Sequence, residues 1–295
     1  MGRAAFREAV AAFEQALQAL AHLSEDGDTQ VLAIELRLAL GDVLSQLGEL
    51  RRHLALLGEA ETLASALDDR TRLGRVLVWK TYVLWLTGDP DGAMAAGQQA
   101  LALAAALGDS ALQVGASQRL GQVYLFIGDF GRAAALFRRI VEATDRESGT
   151  TRIVLIRSQA WLAQTLSALG AFAEGRRYGE EALRLATREG RGAALLLAHH
   201  CLGHLYLAYG DLEHAIRVLE QGLALCRAAG SQIILRVSAA GLGYAYALQG
   251  RLVEGRALLE EASSVTLRTG ALRDHSRWVA WLSEVCRLAG HGEEA

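Results

Sequence analysis

The chain has 295 residues, 52 % hydrophobic but only 6 % aromatic, with a single proline. Its apolar content is mostly alanine and leucine, strong helix formers, and near-absence of proline suits uninterrupted helices, so composition alone points to an all-α fold. A net charge of −3 excludes a general attraction to nucleic acid or an anionic membrane, and three scattered cysteines, Cys201, Cys226 and Cys286, exclude a disulfide framework or zinc ribbon and read as small buried residues of a reducing, cytoplasmic setting.

Residues 4–22 predict a lone amphipathic helix, with Phe6, Ala9, Phe13, Ala16 and Leu17 on its apolar side. Arg3, Arg7, Glu8 and Glu14 interrupt that stretch and argue against a signal peptide. Helical hairpins are then expected at 29–68, 70–108, 109–146, 151–189, 192–230 and 231–269, and a final lone helix at 271–289. The segment Asp145–Thr151 reads as the longest polar loop. The most apolar later stretch, Ile233 to Leu248, carries Arg236 and predicts a core helix and not a membrane span.

A glycine marks the turn inside each hairpin: Gly48, Gly88, Gly128, Gly170, Gly210, Gly250 and Gly290, spaced 40, 40, 42, 40, 40 and 40 residues apart. A glycine closing a helical pattern suits the left-handed conformation, and the aspartate after three of them suits an N-cap. Other positions keep register with these turns. Seven residues earlier stands a small residue (Gly41, Thr81, Gly121, Ala163, Gly203, Gly243, Ser283), and five residues later another (Ala93, Ala133, Gly175, Ala215, Gly255), with His53 breaking the run. Eight residues earlier is leucine, except at Lys80. A mid-helix glycine costs about 1 kcal/mol against alanine, so its recurrence in one register implies close helix crossings.

Leu120-Gly-Gln-Val-Tyr124 with Gly128-Asp-Phe130, Leu202-Gly-His-Leu-Tyr206 with Gly210-Asp-Leu212, and Leu242-Gly-Tyr-Ala-Tyr246 resemble the tetratricopeptide repeat (TPR). The first two repeats depart from that motif, and its closing proline is absent. The resemblance implies a right-handed α-solenoid of about six TPR-like hairpins with a half repeat at each end, forming a single superhelical domain over residues 1–295. Both ends read as half repeats, and a solenoid needs capping ends, so a piece of a longer polypeptide is expected.

Arg7-Glu-Ala-Val-Ala-Ala-Phe-Glu-Gln-Ala-Leu17, Trp85-Leu-Thr-Gly-Asp89, Gly97-Gln-Gln-Ala-Leu-Ala-Leu-Ala104 and Gly243-Tyr-Ala-Tyr-Ala-Leu248 resemble the C-terminal TPR region of bacterial adenylate cyclase/ATPase multidomain signalling proteins. That resemblance implies a regulatory module and carries over no cyclase or ATPase residues.

Nothing in the sequence has the form of a phosphate-binding loop or a nucleophile elbow, so neither a cofactor nor catalysis is expected. His200 and His204, four apart on one helix face, have the spacing of a metal pair, but Gln164 and Tyr244 at the matching places supply no third ligand; a polar groove lining is the better reading. The arginine pairs Arg51-Arg52, Arg138-Arg139 and Arg176-Arg177 read as surface charge matched by local glutamates, and Lys80 is expected to snorkel to water or to meet a carboxylate such as Asp42.

First helices should line the concave side, with the residues 13, 10, 6, 3 and 2 before each turn glycine facing inward. This predicts a groove of Glu35, Asp42, Gln46, Arg75, Tyr82, Trp85, Gln118, Gln122, Arg157, Gln164, His200, His204, Tyr244, Arg277, Glu284 and Arg287. Such side chains suit a peptide or protein partner, and neighbouring domains of a parent polypeptide are further expected partners. The alternative is a small-ligand or peptide sensor domain of a transcription regulator or STAND-type ATPase. Apolar faces at 5–20 and 271–289 predict self-association.

Overall fold

A computed structural model describes residues 2–23, 26–144, 149–190 and 192–290. Its regular structure is helical throughout the described residues: α1 (Gly2–Leu20), α2 (Gly27–Leu47), α3 (Leu50–Ala66), α4 (Arg70–Thr87), α5 (Pro90–Leu107), α6 (Ser110–Phe126), α7 (Phe130–Ala143), α8 (Gly149–Ala168), α9 (Phe172–Glu189), α10 (Gly192–Tyr209), α11 (Leu212–Ala229), α12 (Gln232–Leu248), α13 (Leu252–Thr269) and α14 (His275–Leu288). No helix among the described residues is long and apolar enough to cross a membrane.

Each turn has a local cause. Gly88 sits at φ +87°, where a side chain would be strained. Its N–H closes onto the Leu84 and Trp85 carbonyls, and the Asp89 carboxylate then accepts from the Gly92 N–H to cap α5, with Pro90 at its first turn. Asp129 and Asp211 cap α7 and α11 in the same way. The expected turn glycines all have positive φ, and a second set, Gly108, Gly190, Gly230 and Gly270, does the same between hairpins. Helical joints therefore recur about every 20 residues along much of the chain.

Two compact units emerge: one of residues up to Ile127 with Thr269–Ala271, the other of Gly128–Arg268 with the residues from Leu272 onward. In the first unit, α1 to α6 pack each against the next, and α4 also touches α6. In the second, α8, α10, α12 and α14 form a row of first helices, with α9 and α11 packed beside it.

The small residues stand at the crossings within hairpins. A Cβ on Gly175 would lie 3.0 Å from the Ala163 carbonyl, and one on Gly243 would lie 2.7 Å from the Gly255 carbonyl. At the irregular hairpin, the His53 ring lies over Gly41, which has no side chain to obstruct it, and its Nδ1 pairs with the Ser45 hydroxyl at 2.7 Å. Lys80 meets Glu61 at 2.6 Å; the acid comes from α3, not from Asp42 on α2. The three cysteines are buried and free.

Two boundaries differ from expectation. Residues 145–148 of the expected loop lie outside the described residues, and α8 already begins at Gly149 within that segment. The last helix starts at His275 and not at residue 271, because Asp274 adopts φ +67° and cannot continue a helix. The expected turn after Gly290 falls on residues 291–295, also outside the described residues.

Candidate functional site

In the first unit, the expected groove residues gather around an aromatic chain on α4. Trp79, Tyr82 and Trp85 contact one another in succession, with ring centroids 5.9 and 5.8 Å apart. Arg119 from α6 lies 4.0 Å over the Tyr82 ring and 5.5 Å over Trp79, and donates to Gln122 at 3.3 Å. Glu35 on α2 is gripped by Arg75 at 2.6 and 3.0 Å and by Arg72 at 2.9 Å. The Arg75 hydrogen bond is the main reason its carboxyl titrates below the usual range.

Burial corrects part of the predicted lining. Trp85, Gln118, Gln122 and His200 are buried, so a partner cannot reach them without displacing neighbours. The cause is packing between first helices, α4 against α6 and α8 against α10 against α12, which covers much of the face that single-helix periodicity leaves open. Tyr82, Arg157, Gln164, His204 and Tyr244 are half-buried, while Asp42 and Arg277 are exposed.

The second unit brings more of the expected residues together. On α10, the His200 and His204 rings meet edge-on with centroids 4.5 Å apart, and His200 also packs edge-on to Trp161 of α8 at 6.4 Å. His204 donates from Nε2 to the Val237 carbonyl of α12 at 3.1 Å. Gly241 makes room for it, since a Cβ there would lie 2.7 Å from that same nitrogen. Tyr244 of α12 stacks on Trp281 of α14, with centroids 4.5 Å apart and planes 3° from parallel, and its hydroxyl donates to Glu284 at 2.9 Å. The Arg277 guanidinium lies 6.0 Å from the Trp281 centroid. Gln164 accepts from the Cys201 thiol at 3.5 Å. Among the described residues no three His, Cys, Asp or Glu side chains cluster as a metal site would require.

Charged residues that the sequence reading left out complete this site. Arg236 is wholly buried, 5.1 Å over the Trp278 ring, and donates to the Arg273 carbonyl at 3.0 Å. Asp274 pairs with Arg273 and Arg277, both at 2.8 Å. Burial alone would raise the Asp274 pKa, but Arg273, Arg277 and Arg236 together hold it below the usual range. A signal for part of this set lay in the sequence: tryptophan recurs nine residues before a turn glycine, at Trp79, Trp161 and Trp281. A separate cleft of about 630 Å³ beside α8 and α9 includes Gln159, Arg176, Tyr178 and Arg184, but Glu181 pairs with Arg184 at 2.7 Å and Glu180 lies 3.9 Å from Arg176. One arginine in each of the other two pairs is likewise matched: Arg138 by Glu174, and Arg52 by Glu49 and Glu14.

Burial holds His53 and His204 neutral, with each pKa lowered to about 4. The unfolded chain takes up these protons as pH falls below about 6.5 and the folded chain does not, so the stabilisation is present above about 6.5 and lost toward 4. For fully buried His53 the effect is of order 3 kcal/mol. Urea midpoints measured from pH 7.5 to 4 should fall steeply for the native chain and less steeply for His53→Phe; parallel curves would refute the assignment.

A family model for the MalT-like TPR region matches residues 74–290. An HTH-type transcriptional regulator of Mycobacterium tuberculosis is 28 % identical over 178 residues, 60 % of this chain and 20 % of that protein. Its Mycobacterium bovis counterpart matches to the same extent; the chain thus spans about a fifth of the curated relatives it matches. Among solved structures, the Rap conjugation gene regulator of plasmid pLS20, in complex with the Phr* peptide, has a TM-score of 0.72 at 18 % identity, covering 92 % of this chain and 72 % of that one. A Rap protein complexed with Competence and Sporulation Factor has a TM-score of 0.64 at 12 % identity, covering 96 % and 86 %. A STAND protein with a tetratricopeptide repeat sensor from Pyrococcus horikoshii has a TM-score of 0.54 at 14 % identity, covering 94 % and 43 %. The fold is that of the TPR α-solenoids, and the chain belongs to the MalT-like TPR region family.

Proposed function

We propose that this chain is a regulatory TPR module, without catalytic activity of its own, that binds a peptide or protein segment on the first-helix row of its second unit. The observation that carries this reading is the parallel Tyr244–Trp281 stack. Its two large, half-buried rings come from different helices, with His204 and Arg277 beside them. Rigid aromatic pairs edged by polar groups are the usual anchors of a recognition surface. The comparisons support the same reading: the matched relatives are named as transcriptional regulators, and a Rap conjugation gene regulator of the same fold is in complex with a peptide. Bound ligand would bias how the module engages neighbouring domains of a parent protein, whether those bind DNA, hydrolyse ATP or form cyclic AMP.

A random heptapeptide display library enriched on the native chain tests this. Enriched peptides should lose tenfold or more in affinity, about 1.4 kcal/mol or more, for the Tyr244→Ala/Trp281→Ala double variant. Unchanged affinity for that variant, with its helical content intact, would move the binding surface elsewhere.

A further inference from the structure

We infer that the group around His200 is a carboxylate-binding subsite, so that the ligand of the second unit is an acidic peptide whose apolar side chain rests on Tyr244 and Trp281. This rests on the peptide-binding reading above and adds the chemistry of its ligand.

Two independent observations carry it. His200 is only 3 % exposed, and neither ring nitrogen has a hydrogen-bond partner. A buried, unsatisfied imidazole costs roughly 1–3 kcal/mol, and such groups are rare enough in native folds to need a reason. An imidazole N–H is a natural donor to a carboxylate, which would satisfy it. The second observation is charge. Burial is the main reason His200 resists a proton, and His204, Arg273, Arg236 and Arg277 all lie near enough to add to that effect. The same three guanidiniums surround one carboxylate, Asp274, while Glu284 stands at the far edge, holding the Tyr244 hydroxyl. The local field is therefore positive and suits an anion, and guanidinium forks match the flat geometry of a carboxylate.

The aromatic shelf lies directly beside this group. The His204 ring is 4.5 Å from His200 and 6.5 Å from Trp281, so charge and shelf are neighbours along one row of helices. Arg277 is the exposed member, half-exposed at 51 %, and it reaches both Asp274 and the Trp281 ring. It would meet the ligand first, and the carboxylate would then reach buried His200 by displacing the His204 ring packed against it. A phosphorylated or sulfated ligand would want the same charges, but the flat shelf and the single unsatisfied imidazole suit a peptide carboxylate better.

The test uses two probes with the intact chain: acetyl-Phe-Glu as the free acid and acetyl-Phe-Gln-amide as its neutral counterpart. Binding is read from tryptophan fluorescence and from the His200 ring resonances in ¹H–¹⁵N spectra. The acid should bind at least tenfold more tightly than the amide and shift the His200 resonances. That preference should shrink to less than twofold in Arg277→Met, recover in part in Arg277→Lys, and persist in Arg227→Met, whose arginine sits on α11 paired with Glu261. His200→Gln provides a second variant should Arg277→Met fold poorly, and it should lose the preference likewise. Equal binding of the two probes, a preference surviving in both Arg277→Met and His200→Gln, or sulfate competing as well as acetate at matched ionic strength would overturn the carboxylate assignment. Library peptides that bind through Tyr244 and Trp281 without regard to their acidic groups would sink this inference and leave the peptide-binding reading standing. Loss of the library result itself would remove that reading.

Discussion

Gly243→Val is expected to destabilise the second unit by about 3 kcal/mol, near the upper end of what overpacking a core costs. A Cβ on Gly243 would fall 2.7 Å from the Gly255 carbonyl oxygen, 3.0 Å from the Leu258 Cβ and 3.1 Å from the Leu259 Cγ, and a Cβ on Gly255 would fall on the Gly243 carbonyl in return. The first obstacle is backbone, so no rotamer change removes it, and α12 and α13 must separate. For a unit of this size the melting temperature should drop by roughly 6–12 °C. Gly58→Ala is the matching control. That glycine is also mid-helix, but nothing lies within 4 Å of its Cβ position. Alanine there should raise stability by up to about 1 kcal/mol through helix propensity. Thermal melts by circular dichroism on both variants decide the matter, and a Gly243→Val chain that melts with the native one would mean the crossing is looser than described.

Trp278→Ala should cost about 4 kcal/mol, within the range for emptying a buried aromatic site. Trp278 is 2 % exposed and ranks among the largest buried side chains of the described residues. It also carries the Arg236 guanidinium on its ring, so its removal leaves that charge above a void as well as forfeiting the burial. Trp278→Phe keeps a ring beneath Arg236 and should cost markedly less. Because α14 is the last helix of the row, hydrogen exchange should separate two outcomes. Loss of protection in both α12 and α14 supports the cooperative role argued here, whereas fraying confined to α14 with a total loss below about 1 kcal/mol would show that Trp278 stabilises only its own helix.

The helical joints were legible in the sequence because they depend on purely local chemistry: a glycine with positive φ, followed at Asp89, Asp129 and Asp211 by a capping carboxylate. The joints at Gly108, Gly190, Gly230 and Gly270 share the positive φ, and after Gly108 the Asp109 carboxylate caps α6 as well. They stand 20 residues after Gly88, Gly170, Gly210 and Gly250, between the members of the 40-residue series. Small residues at the crossings were legible for a similar reason, since Ala163 with Gly175 and Gly243 with Gly255 stand at one constant spacing. The site was only partly legible. Tyr244 is half-buried and Arg277 exposed, but Trp85, Gln118, Gln122 and His200 are covered by adjacent first helices, and contacts between hairpins leave no trace in the periodicity of one helix. Arg273 and Asp274 fall where an unbroken helix was expected, so their approach to Arg236 and Arg277 depends on the left-handed residue that breaks it.

Every substantial pairing in either unit joins helices that are consecutive or one apart in the chain. A segment of some 100 residues, such as Gly149–Leu248 around α10, therefore already holds all the partners its middle helix needs, long before the remainder exists. As the nascent chain leaves the ribosome, each helix has its docking site waiting upstream, and the ordering entropy is met in small local steps and not in one long-range closure. Assembly should accordingly advance from the N-terminus at the pace of synthesis, leaving little apolar surface exposed to aggregation at any moment.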